Sequence, residues 1–288
     1  MLSKYSISED SPMKKRIITA LVATCVLVPV LIFADTFALP LGLAVCAVLS
    51  VWEMFSCVGL KRAWVLTVPM YLVGGAFPFI VRYLHDYALS IAIATVVVWT
   101  LYLFTVLIFT HGKYPLDSVL VASYGLLYVF VGFNAILWVH DYAFGGKYLY
   151  YICFFGAWIT DTFAYFSGRL FGRHKLCPDV SPKKTVEGSI GGTIFGVLSL
   201  VIFGIVLEHF VPEIDANILI FAVGGLLVAI VSQIGDLSMS LIKRRYGVKD
   251  YGFVFPGHGG VLDRFDSVLA VSALLWVFTL FFDFFEKV

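Results

Sequence analysis

The sequence predicts an all-α integral membrane protein, a polytopic helical bundle of about nine transmembrane helices with the N-terminus cytosolic, and three observations lead there. Hydrophobic residues make up 60% of the 288 and charged residues only 14%, with a mean hydropathy of +0.95; a soluble domain carries about 25% charge. Apolar runs of about 20 residues, enough to cross a bilayer as a helix, recur along the whole chain. Lysine and arginine fall almost entirely into alternate connections, as the positive-inside rule requires. The net charge of +1 points to no nucleic-acid partner, and none is expected.

Residues 1–16 read as a cytosolic N-terminal tail, polar and disordered to about residue 13. Lys14, Lys15 and Arg16 then precede the apolar run 17–34, and no small-residue cleavage pattern follows, so this run is an uncleaved first span. Further spans are expected near 37–60, 64–82, 88–109, 118–138, 148–166, 190–209, 217–240 and 265–283. With no transporter-like repeat and no low-complexity linker, residues 17–288 read as one integral membrane domain. Its spans over 17–140 precede a part, 148–288, that holds the polar loops. With the N-terminus inside, seventeen of the twenty Lys and Arg residues lie in cytosolic segments, and only Arg82, Lys147 and Lys287 lie outside.

The five cysteines are dispersed and form no C-x-x-C pair, so neither a disulfide nor a zinc site is expected. Acids inside spans are costly and mark function by default. Glu53, Asp161 and Asp236 lie near cytosolic span ends, and Asp263 and Asp266 enter from that same side, which reads as one converging acidic cluster. Snorkelling at helix ends is the competing account of Glu53 and Asp161.

Polar chemistry concentrates between Ser240 and Ser267, which hold five Lys or Arg, three Asp, one His and five Gly. Asp236, Ser240 and Lys243 recur at helical spacing and so share a face carrying an acid, a hydroxyl and an amine. Glycines at 247, 252, 257, 259 and 260 free the backbone to approach a ligand and aim N–H groups at anionic oxygens. Asp263 and Asp266, three apart on the next helix, suit a hard cation such as Mg²⁺. Phosphate, metal and base are all implied.

Those residues carry a resemblance. The run S-x-I-K-R-x-x-x-x-K-D-x-G-x-x-F-P-x-H-G-G-V-x-D-R-F-D resembles the signature of the phosphatidate cytidylyltransferase (CDP-diacylglycerol synthase) family without a departure. A second block, D-T-x-A-Y-x-x-G-R-L-F-G with S-P-K-K-T-x-E-G-x-I-G-G, is similar to the same enzymes; Phe163 and Val186 depart from it, standing where Gly and Trp are common, and take no role.

The resemblance implies an enzyme, a nucleotidyltransferase converting CTP and phosphatidate to CDP-diacylglycerol and diphosphate. It implies Mg²⁺ dependence, with two divalent cations or one divalent plus one monovalent, a homodimer, and a bacterial inner membrane with the site facing the cytosol. Asp236, Lys243, Asp263 and Asp266 would be catalytic, and Asp236, Asp263 and Asp266 would hold metal with Asp161 as a further candidate. Substrate contacts would come from Ser181, Lys183, Lys184, Thr185, Ser240, Arg244, Lys249, Asp250, His258, Gly259, Gly260 and Arg264.

Plainer explanations stand beside these. Gly188, Gly192 and Gly196 recur every fourth residue, as helix packing needs, and His174 reads as a solvated loop side chain. A CTP-dependent polyprenol or dolichol kinase is an enzymatic alternative, although the full D-R-F-D run argues against it. An ion-coupled transporter is the alternative from another class, but its acids should lie at the midplane and on paths to both faces.

Overall fold

The computed structural model describes residues 12–287; the expected tail before residue 12 lies outside the described residues. Nine helices run along these residues: α1 (Pro12–Ile32), α2 (Ala38–Cys57), α3 (Trp64–Tyr83), α4 (His85–Phe109), α5 (Leu116–Tyr142), α6 (Gly146–Phe171), α7 (Val186–Phe210), α8 (Ile218–Arg245) and α9 (Leu262–Thr279). Each coincides with an expected span. The protein is a polytopic helical membrane protein.

Six of the nine, α2, α3, α4, α5, α7 and α8, are long and apolar enough to cross a membrane by length and composition. Helix α1 contributes a shorter apolar stretch, Ile18–Ile32. The remaining two, α6 and α9, carry Asp161 and Arg169, and Asp263, Arg264 and Asp266, so polar residues dilute the helices that build the site.

Two small antiparallel sheets were not foreseen. Strands β1 (Lys175–Cys177) and β2 (Ser181–Thr185) form a hairpin between α6 and α7, and β3 (Ile214–Ala216) pairs with β4 (Phe285–Lys287). The last helix therefore ends at Thr279 rather than near 283, because the chain turns to bury Phe284 and Phe285 against Phe221, with ring centroids 4.9 and 5.4 Å apart.

Helices α7 and α8 start on their own caps, Thr185 Oγ1 accepting from Gly188 N and Asn217 Oδ1 from Ile220 N. The glycine stripe of α7 lies against α6. A Cβ at Gly188 or Gly192 would fall 2.6 or 2.7 Å from the carbonyl oxygens of Ala164 or Thr160, so only glycine lets the backbones meet. A cavity of about 290 Å³ lies among α2, α3, α4 and α5, lined by Val51, Met70, Trp99, Leu103 and Phe130 among others. Because successive helices alternate in direction, the connections 58–63, 172–185 and 246–261 gather at one end, where the polar residues converge.

Candidate active site

Helix α8 carries the face expected of it only in part. Ser240 Oγ donates to Asp236 Oδ1 at 3.3 Å, one turn away. Lys243 instead reaches α9: its ammonium, 7% exposed as a residue, donates to Asp263 Oδ1 at 2.8 Å and lies 5.4 Å from the centre of the Tyr251 ring. The other oxygen of Asp263 accepts from Tyr251 N at 2.7 Å and Gly260 N at 2.9 Å. A buried pair needs such extra donors to offset the desolvation of both charges. Burial, above all, and the neighbouring Asp263 hold the Tyr251 phenol above its ordinary pKa; it stays a neutral donor to Met239 O at 3.0 Å.

Between α8 and α9 the loop closes tightly. Gly257 and Gly259 adopt φ values of 79° and 89°, which L side chains rarely tolerate. Phe255 N donates to Gly259 O at 2.9 Å and His258 N to Phe255 O at 2.8 Å. His258 is half-buried, and its Nδ1 has no hydrogen-bond partner among the described residues. Glu53 is fully buried, so snorkelling does not describe it: its two oxygens accept from Val261 N and Leu262 N, both at 2.8 Å.

A second acidic group forms where α6, α8 and α9 meet. The carboxyls of Asp236 and Asp266 come within hydrogen-bonding reach of each other. Ser267 joins the third acid, with Oγ donating to Asp161 Oδ2 at 2.8 Å and its backbone N to Asp266 Oδ1 at 2.9 Å. Tyr128 of α5 fixes the backbone from behind, its hydroxyl donating to Asp266 O at 2.6 Å. Lys184 of β2 pairs with Asp236 Oδ2 at 2.6 Å, off the direction of a well-formed hydrogen bond.

The expected trio of Asp236, Asp263 and Asp266 is not assembled. Among the described residues no three His, Cys, Asp or Glu side chains converge as a metal-holding group. Both oxygens of Asp263 are committed to Lys243 and the loop, which removes it from the Asp236–Asp266 pair. Thr185 is placed as the cap of α7 rather than as a free hydroxyl. Arg244 ties the hairpin down, its Nε donating to Val180 O at 3.2 Å. Ser181 sits half-buried at the start of β2; Lys183, Lys249, Asp250 and Arg264 are exposed at the rim.

The sequence profile of the cytidylyltransferase family matches residues 14–282 of this chain. The chain belongs to the cytidylyltransferase family. Among relatives of this chain, the phosphatidate cytidylyltransferase of Staphylococcus haemolyticus (strain JCSC1435) is 34% identical over 267 residues, covering 91% of this chain and 97% of the relative. That of Bacillus subtilis (strain 168) is 32% identical over 274 residues, covering 92% and 96%, and that of Staphylococcus aureus (strain COL) is 33% identical over 277 residues, covering 91% and 97%.

Several positions in this chain are not singled out by sequence. Tyr251 stands at an unspecified position of the signature and Ser267 directly follows its last aspartate, and a tyrosine and a serine beside acids carry no pattern of their own. Tyr128 sits in an apolar span with no polar neighbour to mark it. Glu187 ties down the loop after α6, accepting from Arg173 N at 3.0 Å and meeting His174 Nδ1 at 2.6 Å; an acid in the first turn of a helix was the available signal. His174 is thus paired as well as exposed. Phe163 stacks on Phe195 with ring centroids 4.1 Å apart, a packing role between α6 and α7.

Proposed function

We propose that this chain is a phosphatidate cytidylyltransferase that makes CDP-diacylglycerol for phospholipid synthesis. The observation that carries the reading is a pair of neighbouring carboxyls, Asp236 and Asp266, flanked by Lys184 and placed at one end of a membrane bundle. The family match and the names of the relatives support the choice of substrates. An oxygen of the phosphatidate phosphate attacks the α-phosphorus of CTP, the α–β phosphoanhydride bond breaks, and diphosphate leaves with the bonding pair. Phosphatidate is already an anion, so the protein needs no general base. Its task is to bring two polyanions together.

The acid pair fits a divalent cation. Two carboxylates in contact repel unless a proton or cation lies between them, and an all-oxygen pair leaves the remaining positions to water and phosphate, as Mg²⁺ prefers. Asp236 and Asp266 would hold it, with Asp161 beside them through Ser267. Bound there, the ion would supply positive charge to offset that of the phosphate oxygens. Lys184 and the exposed Lys183 and Arg264 would bind phosphate oxygens, and Gly259 and His258 would line the approach. Lys243 keeps Asp263 and the loop in place, acting on substrate only through them.

The distribution of basic residues supports a cytosolic site in the bacterial inner membrane. A cysteine introduced beside Lys249 should be labelled only from the cytosol, and one beside Lys147 only from the other side. A homodimer completes the proposal, and native mass spectrometry in mild detergent checks it. For the reaction, purified protein is given phosphatidate, Mg²⁺ and CTP labelled at one phosphorus. Label at the α-phosphorus should enter the lipid and label at the γ-phosphorus should leave as diphosphate; γ-label in the lipid would instead mean a kinase.

A further inference from the structure

We infer that Glu53 of α2 is a positioning residue for cytidylyl transfer, setting the glycine loop and the start of α9 and thereby the aim of Asp263 and Asp266. This rests on the activity proposed above. Helix α9 begins without a side-chain cap of its own, since Val261 at its N-cap has none to offer. The backbone donors at its entry are divided between two carboxylates. Asp263 takes Tyr251 N and Gly260 N, and Glu53, more than 200 residues back in the chain, takes Val261 N and Leu262 N at 2.8 Å each.

A carboxylate at a helix N-terminus is matched to the partial positive charge there, and no Lys, Arg or His pairs with Glu53 among the described residues. Because separate oxygens grip consecutive N–H groups, the contact fixes both the rotation and the axial position of the first turn. Asp263 is the next residue along, and Asp266 lies one turn beyond it. Movement at Leu262 therefore reaches Lys243 through Asp263 and Asp236 through Asp266. Both arms of the loop also close on this side chain. A Cβ at Gly252 would lie 2.5 Å from Glu53 Oε1, and one at Gly260 would meet the same oxygen.

A residue that only stabilised the fold would change the melting temperature and leave turnover per folded molecule alone. Misplacement by about 1 Å costs roughly a hundredfold in rate. The test compares purified full-length wild type, Glu53→Gln, Glu53→Asp, Gly252→Ala and the double variant Glu53→Asp/Gly252→Ala, each assayed for kcat, KM for CTP, half-saturating Mg²⁺ and melting temperature. Glu53→Gln should lose about a hundredfold in kcat with KM for CTP within about twofold, and should need more Mg²⁺. Gly252→Ala should lose activity by pushing on the carboxylate. Glu53→Asp, one methylene shorter, should give part of it back, so the double variant exceeds Gly252→Ala alone.

Full kcat in Glu53→Gln with only a lowered melting temperature would overturn the inference, as would losses that simply add in the double variant. Should Glu53→Gln fail to purify folded, the Gly252 comparison decides by itself. The two readings fail differently: a wild type that makes no CDP-lipid sinks the assigned activity, whereas an active wild type beside a fully active Glu53→Gln sinks only the role of Glu53.

Discussion

Charged side chains gather at both ends of the bundle, and the two clusters are built on different rules. At the end away from the site, Arg82 donates to Asp141 Oδ1 at 2.7 Å and to Ala34 O at 2.6 Å. His140 contacts the same Asp141 oxygen at 2.7 Å and Asp35 at 3.4 Å, and its ring packs edge-on to Tyr150. Acids and bases alternate there, and each buried charge faces an opposite charge or a carbonyl. At the site end Asp263 is matched by Lys243, but Asp236, Asp266 and Asp161 come together with Lys184 as the one lysine paired to them. Matched charge holds helices together; a surplus of one sign inside a bundle is stable only when something else neutralises it. The difference separates a clasp from a binding site without reference to any relative.

That contrast can be broken by experiment. The largest effect is expected from Asp236→Asn and Asp266→Asn, each lowering kcat roughly a thousandfold, the equivalent of the several kcal/mol that a neutralising ion contributes. The melting temperature of Asp266→Asn should stay level or rise, because one of two repelling charges is gone, whereas Asp236→Asn also strips Lys184 of its partner and should melt slightly lower; a clear fall in Asp266→Asn would mean that the pair serves the fold. Chelation of Mg²⁺ should abolish turnover without unfolding the protein.

Next in size, Asp263→Asn strands the buried Lys243 ammonium and should cost about 3 kcal/mol of stability. Added Mg²⁺ should not restore it, and rescue by Mg²⁺ would return Asp263 to the metal. At the far cluster, Asp141→Asn should cost about 2 kcal/mol by leaving Arg82 and His140 short of an acceptor, with kcat per folded molecule unchanged. Smallest is Lys184→Met, expected to raise KM for CTP about tenfold, the loss of one point charge from a phosphate. An unchanged KM would leave Lys184 as a partner of Asp236 alone.

The helices were legible in the sequence because hydropathy is a local property, and each apolar run became a helix within a few residues of its expected bounds. The strands were not. Residues 280–283 read as the end of a ninth span, but Phe221, brought near only by folding, draws Phe284 and Phe285 into packing and the helix stops at Thr279. The acidic cluster was readable for a similar reason to the helices, since charge inside an apolar run stands out. How its members divide was not readable. Asp263 and Asp266 share a helical face, and nothing local says that one meets Lys243 while the other meets Asp236. Glu53 was ambiguous because its partners are backbone N–H groups, which every residue but proline possesses and no sequence pattern marks.

Helix α4 leaves most of its surface outside the bundle; it is tied to α3 by Tyr102, whose hydroxyl donates to Val65 O at 2.6 Å, and the cavity lies between it and α2 and α5. At 25 residues it would measure roughly 37 Å as a straight helix, longer than the roughly 30 Å hydrocarbon layer. It must therefore lean, and by an angle that follows the thickness of the surrounding lipid. The carboxylates sit on α6, α8 and α9, none of which lines that cavity, so the helix with the most lipid around it is also one set apart from the site.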